Sequence, residues 1–142
     1  MSESLQDYVN ELPILDVHEH HIPETFLNRE VGLLDLLRQS YAGWTEERPY
    51  PLPTETRAED PMLADSGEAR WEDIAGFVEG SGSNSFVRNI VASLDELYDL
   101  GGGGVTRENW RDLDREIRRR HGDPTWTGEV MKRARVTHVI TD

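Results

Sequence analysis

The order of hydrophobic and polar residues predicts two strands with a long, mostly helical segment between them. An apolar run begins at Ile14, directly after Pro13, and a second run lies at 136–140; both have the length of buried strands. We therefore expect a first strand over about 14–18 and a second over about 136–141. Each run is apolar at successive positions, which is typical of parallel strands that are covered on both faces.

Outside the strands, apolar residues recur at helical spacing. The clearest stripe runs from Val87 to Tyr98, within an amphipathic helix that Asn84 or Ser85 can cap and that reaches Leu100. Five shorter helices are predicted by the same spacing and by capping residues at their starts. They are 3–11, 31–41, 70–79, a helix capped by Thr106, and a helix with Asp123 as its cap and Pro124 at its first position that runs to about Ala134.

Two segments lack this periodicity. From Thr45 to Ala69, four prolines stand among polar residues, so this stretch predicts an irregular excursion that is either functional or a plain surface loop. The run Gly101–Gly104 predicts the C-cap of the preceding helix and a flexible joint. A phosphate-binding loop is not favoured there, because no apolar strand precedes the glycines and no Lys-Ser or Lys-Thr pair follows them.

The chain of 142 residues is strongly acidic, with 28 acidic and 15 basic residues and a formal net charge of −13. Nucleic acids and anionic membrane surfaces bind clustered positive charge, so this balance argues against both as partners. The absence of cysteine excludes disulfides and thiolate metal sites. No apolar run approaches the roughly 20 residues of a membrane span, and the first residues lack the features of a signal peptide, so we expect a cytoplasmic protein.

The candidate chemistry lies at the end of the first strand, in the sequence Asp16-Val17-His18-Glu19-His20. Because side chains alternate along a strand, Asp16, His18 and His20 are expected on one face. Neutral imidazole nitrogen is the commonest protein ligand for zinc and similar ions. We therefore predict that His18 and His20 bind a divalent metal, most simply zinc. The alternative is a pair of ordinary surface histidines at a strand end.

The segment Ile14–His20 (ILDVHEH) resembles the first barrel strand of the amidohydrolase superfamily, a group of metal-dependent TIM-barrel enzymes. The segment Val136–Asp142 (VTHVITD) is similar in layout to the second strand of that family. Within the superfamily, the chain most resembles the amidohydrolase-2 group and uronate isomerase, which also opens with a Pro-Ile-x-Asp-x-His-x-His segment. The first motif is the specific part of the resemblance, whereas the match over residues 84–142 is one of layout.

The resemblance implies an α/β fold, namely the N-terminal part of a (β/α)₈ TIM barrel. A mostly helical insertion, about 24–134, would separate its first and second strands, and residues 1–142 would form one portion of a single barrel domain. By the same resemblance, the excursion at 45–69 would belong to a lid. A complete barrel usually needs about 250 residues, so further metal ligands and catalytic groups are expected from a missing C-terminal portion. Association into a homo-oligomer is the other way to cover the strands.

Three functions stay open at this point. The first is a metal-dependent hydrolase acting on a small polar or carboxylate-bearing substrate, in which His18 and His20 hold the metal and a metal-bound hydroxide is the nucleophile. The second is a uronate isomerase-like sugar isomerase, which moves a proton between adjacent sugar carbons. The third is a non-catalytic helical domain in which the two histidines are incidental.

Other residues have subsidiary expected roles. Asp16 should lie behind the metal ligands and steady a histidine or the strand end. By resemblance, Arg88 is a candidate contact for a substrate carboxylate, with an ordinary surface arginine as the alternative. His21 is expected to be structural or exposed, and His138 to be packed within the second strand. No residue of the chain is assigned the catalytic proton transfer.

Overall fold

The computed structural model describes residues 4–19, 29–45, 69–79 and 82–141. Within this part, the fold is mixed α/β and mostly helical, with two parallel strands. The elements are α1 (Leu5–Glu11), β1 (Ile14–Glu19), α2 (Leu33–Gln39), a 3₁₀ helix (Tyr41–Thr45), α3 (Trp71–Val78), α4 (Ser85–Tyr98), α5 (Trp110–His121), α6 (Trp126–Arg133) and β2 (Val136–Thr141).

The chain divides into two compact units. Residues 1–27 and 123–142 form one, which we call the strand unit, and residues 28–122 form the other, which we call the helical unit. The strand unit contains α1, β1, α6 and β2, and the helical unit contains the remaining elements. The helix α6, which the sequence interpretation counted with the insertion, therefore belongs with the strands.

In the strand unit, both strands form where the apolar runs predicted them. Ser4 caps α1: its Oγ accepts a hydrogen bond from the Asp7 amide at 3.1 Å, and the Asp7 carboxylate accepts one from the Ser4 amide at 3.1 Å. Pro13 then separates this helix from β1. β1 and β2 pair in parallel, with Ile14 opposite Val136.

The apolar side chains of these strands are exposed, which differs from the expected burial. Leu15 is 57% exposed, Val17 66% and Ile140 55%. His138 is also exposed rather than packed, and its Nδ1 lies 3.1 Å from the Thr137 hydroxyl. A parallel pair normally has cover on both faces, and the part of the chain that is described here does not bury these side chains.

The core lies in the helical unit, where α2, α3, α4 and α5 bury the stripes that the spacing predicted. Its fully buried large side chains are Leu33, Leu37, Ile74, Phe77, Val87, Leu94 and Ile117. The rings of Trp71 on α3 and Trp110 on α5 lie 6.5 Å apart, centroid to centroid, and add an aromatic contact between these helices. Across the described ranges, no helix is both long and apolar enough to cross a membrane.

The start of α2 is held by a side chain from α5. The Asp114 Oδ1 accepts a hydrogen bond from the Leu33 amide at 2.8 Å, and its Oδ2 accepts one from the Arg118 Nε at 3.0 Å. The Asp35 carboxylate accepts another from the Gly32 amide at 2.7 Å. Because these carboxylates satisfy the first amides of the helix, α2 begins at Leu33 and not at residue 31 as the spacing suggested.

Three other helix ends also differ from prediction. α4 ends at Tyr98, and its C-cap Asp99 has a φ of 56°, so the glycine run is not its C-cap. α5 begins at Trp110, and Thr106 and Asn109 exchange hydrogen bonds in the turn before it. α6 begins at Trp126 rather than Pro124, but the Asp123 carboxylate accepts a hydrogen bond from the Thr125 amide at 2.8 Å, as a capping residue does.

Candidate functional site

The predicted metal-binding motif lies in the second half of β1. Asp16 is half-buried and His18 is exposed. The Asp16 Oδ1 accepts a hydrogen bond from the backbone amide of His18 at 3.1 Å. This contact fixes the backbone between the two residues, so Asp16 steadies the strand end through the main chain of His18.

The pairing of β1 with β2 is irregular at this motif. The register shifts between Asp16 and Glu19: Asp16 lies opposite Val139, and Glu19 lies opposite Thr141. Three steps along β1 therefore match two steps along β2, as in a β-bulge. The strict two-residue alternation assumed from the sequence is interrupted within the motif, because a bulge redirects the side chains that follow it.

Two of the histidines singled out in the sequence, His20 and His21, lie outside the described residues. Among the residues that the structure does describe, no three His, Asp or Glu side chains are grouped so that they could hold a metal ion. Of the two predicted metal ligands, His18 lies within the described residues, with Asp16 beside it. Zinc sites normally use three or four protein ligands. The motif fits zinc only if His20 and at least one further group complete the set.

The helical unit contains a separate concave site, a cavity of about 500 Å³ that is lined by Arg88 on α4. Apolar side chains form much of its surface, among them Val78, Val87 and Val91. Among the described residues, the exposed Arg88 has no hydrogen-bond, ion-pair or ring partner. The structure therefore places Arg88, the predicted carboxylate contact, at the wall of this cavity.

The glycine run forms another wall of this cavity, through a role that the sequence interpretation missed. The Gly102 amide donates to the Asp95 carboxylate at 3.0 Å, and the Gly104 amide donates to it at 3.1 Å. Gly104 has a φ of 63°, and a Cβ there would lie 3.2 Å from a Val91 methyl group. The backbone amides thus bind an internal carboxylate. The sequence contains no simple spacing signal for this contact.

Comparison of the chain with protein-family models, with curated proteins and with solved structures found no match. The resemblance at Ile14–His20 therefore stays a prediction, and function has to be argued from the geometry. The excursion at 45–69, expected as part of a lid, lies almost wholly outside the described residues.

Proposed function

We propose that this chain supplies the first metal-binding strand of a metal-dependent hydrolase of the amidohydrolase superfamily. Its substrate would be a small polar or carboxylate-bearing molecule. The observation that carries the proposal is the position of Asp16 and His18 in the second half of a strand that pairs in parallel with β2. Active sites of parallel α/β folds lie at the C-terminal ends of their strands.

The bulge in β1 supports the same site. β-Bulges are common next to active sites, where they redirect one side chain relative to its neighbours. Here the irregularity coincides with His18, and the Asp16 carboxylate holds the amide of that residue. Such an arrangement orients a strand end for ligand binding. An ordinary surface histidine requires neither the bulge nor a hydrogen bond from its amide to a carboxylate.

In this proposal His18 and His20 hold the ion, which we take to be zinc. Zinc bound by neutral ligands lowers the pKa of coordinated water towards 7 and polarises a substrate carbonyl. The chain's own contribution would be the two imidazoles, with the Asp16 carboxylate holding the backbone amide of His18. The proton-transfer group and the remaining ligands would come from other strands.

The exposed strand surfaces favour further strands as the partner of this unit. Leu15, Val17 and Ile140 are each more than half exposed, and they lie on the pair β1–β2. Full burial of one such side chain is worth about 1.5–3 kcal/mol, so covering all three would contribute several kcal/mol. We therefore propose that more strands of a barrel, or a second copy of the chain, cover this surface.

Self-association of the 142-residue chain tests that part of the proposal. Sedimentation velocity over a concentration series should show dimers or larger species, and the variant Leu15→Lys/Val17→Lys should shift the population to monomer. A monodisperse wild-type monomer that melts cooperatively would contradict it.

The uronate isomerase-like alternative uses the same metal strand. Coupled detection of a ketose product from glucuronate or galacturonate separates isomerisation from hydrolysis. The non-catalytic alternative is favoured by a different observation, namely that the packed core lies in the helical unit and not around the motif.

A measurement of zinc binding distinguishes the two enzymatic functions from the non-catalytic one. Equilibrium dialysis of the metal-free chain against zinc, in a competing-chelator buffer, should give about one ion per chain. His18→Ala and His20→Ala should each weaken this binding at least tenfold, because each removes a direct ligand. Zinc affinity in both variants equal to that of the wild type would reject the proposal.

His138→Ala is the matched control. It removes an exposed imidazole from the neighbouring strand, opposite Leu15, and should leave zinc affinity unchanged. Equal losses in all three variants would indicate nonspecific binding to surface histidines.

A further inference from the structure

One face of α4 carries a charge at each end and apolar side chains between them. Arg88, Val91, Ala92 and Asp95 follow one another at helical spacing of three, one and three residues, and all four line the 500 Å³ cavity. Arg88 and Asp95 lie seven residues apart, about 10 Å along the helix axis at a rise of ~1.5 Å per residue. The cavity therefore has a cationic end, an apolar middle and an anionic end.

Arg88, the cationic end, differs from most of the other arginines that the structure describes in the helical unit. Arg70, Arg107 and Arg115 on its surface each pair with an acidic side chain, and so do Arg118, Arg119 and Arg120. Within the described part of the chain, Arg88 has no such partner. In a chain with a net charge of −13, an arginine without a carboxylate partner beside an apolar cavity is available to bind an anionic group of a ligand.

The anionic end is fixed in place by the main chain. The Asp95 carboxylate accepts hydrogen bonds from the amides of Gly102 and Gly104. It therefore cannot turn towards Arg88 without releasing the glycine loop that forms the opposite wall. A ligand with a second negative charge at its far end would meet this carboxylate and be repelled.

We propose that this cavity binds a medium-chain monocarboxylate, with its carboxylate on Arg88 and its hydrocarbon chain along Val91 and Ala92. Its volume lies within the range of about 300–1,000 Å³ that is usual for small-molecule sites, and a mainly apolar lining with few polar groups is typical of them. The proposal concerns residues of the helical unit alone and uses no metal. Its test is therefore carried out on metal-free protein, where failure of zinc binding has no influence.

The experiment is a titration of the full ¹⁵N-labelled chain with sodium octanoate, followed by amide chemical shifts. The amides of Gly102, Gly104 and Val105 should shift together and saturate, because they line the cavity. From butyrate to octanoate, affinity should rise about fourfold for each methylene that becomes buried. Suberate, with a carboxylate at both ends, should bind more weakly than octanoate.

Variants test whether Arg88 binds the carboxylate of octanoate. Arg88→Gln should weaken octanoate binding about three- to tenfold, Arg88→Lys should weaken it less, and the matched surface control Arg115→Gln should not change it. Asp95→Asn, which keeps an oxygen acceptor for the loop amides, should improve suberate binding relative to octanoate. No saturable shift with octanoate, equal affinity in Arg88→Gln, or no dependence on chain length would each overturn the proposal.

Discussion

Replacement of Asp114 by alanine tests how the helical unit holds its first helix. The Asp114 carboxylate joins α5 to α2, since one oxygen accepts from the Leu33 amide at 2.8 Å and the other from the Arg118 Nε at 3.0 Å. The Asp114 side chain is 18% exposed and that of Arg118 is 33% exposed, so water replaces these bonds poorly. We expect Asp114→Ala to destabilise the unit.

Two contributions set the size of this loss. Removing the acceptor at a helix N-terminus costs about 1 kcal/mol, and removing a part-buried, charge-assisted hydrogen bond costs about 1.5–3 kcal/mol before relaxation. Because Arg118 can turn towards water, we expect the lower part of that range, and a total loss of about 2–3 kcal/mol. Asp114→Asn keeps an oxygen for the Leu33 amide and should lose about 1 kcal/mol.

Urea unfolding, followed by tryptophan fluorescence and circular dichroism, measures both variants. Asp112→Ala is the control, because Asp112 lies on the same helix and pairs with Arg115 only at the exposed surface; it should lose about 0.5 kcal/mol or less. If Asp114→Ala loses no more stability than Asp112→Ala, the bridge between α5 and α2 does not stabilise the fold as argued here.

Three further predictions concern pH, the core and one glycine. Burial, and then the charge of Arg29, lower the pKa of His121 from its usual 6.5. The contribution of His121 to stability is therefore present above pH 6.5 and is lost as the pH falls below that value. His121→Gln should flatten the fall in the urea midpoint between pH 7.5 and 5.5, and an unchanged slope would contradict this. Phe77→Ala should cost about 3–5 kcal/mol in the same unfolding assay, because Phe77 is only 1% exposed; a loss below 1 kcal/mol would show that it is not in the core. Gly43→Ala should cost more than about 2 kcal/mol, because its methyl group would clash with the carbonyl oxygen of Arg38; near-neutral stability would show that the 3₁₀ helix adapts.

Sequence patterns predicted the helices and strands well where the burial of apolar side chains or a proline determines where they form. Pro13 and the apolar run behind it defined β1, and the stripe ending at Tyr98 defined α4. The ends of helices were less predictable, because they depend on side chains that bind the backbone. Asp99 adopts a left-handed conformation before the glycine run. The Asp95 carboxylate binds the amides of Gly102 and Gly104, which follow it by seven and nine residues. Neither feature follows a simple spacing rule.

The candidate site was predictable only in part. Alternation along a strand placed Asp16 and His18 on one face, but the register shift between Asp16 and Glu19 arises from pairing with β2, whose Val136 lies 122 residues after its partner Ile14. The cavity beside Arg88 also required three-dimensional information, because its walls come from α4 and the glycine loop. The exposure of Val17 was not predicted. Its place in an apolar run indicates a surface that becomes buried, but the sequence does not identify what covers that surface.

The most direct test of the account is the coordination of zinc bound to the chain, measured by X-ray absorption at the zinc edge. We predict two imidazole nitrogens at about 2.0–2.1 Å in the wild type, with one lost in His18→Ala and one lost in His20→Ala. A spectrum with only oxygen neighbours, or one that is identical in the wild type and both variants, would contradict the proposal that these two histidines bind a metal.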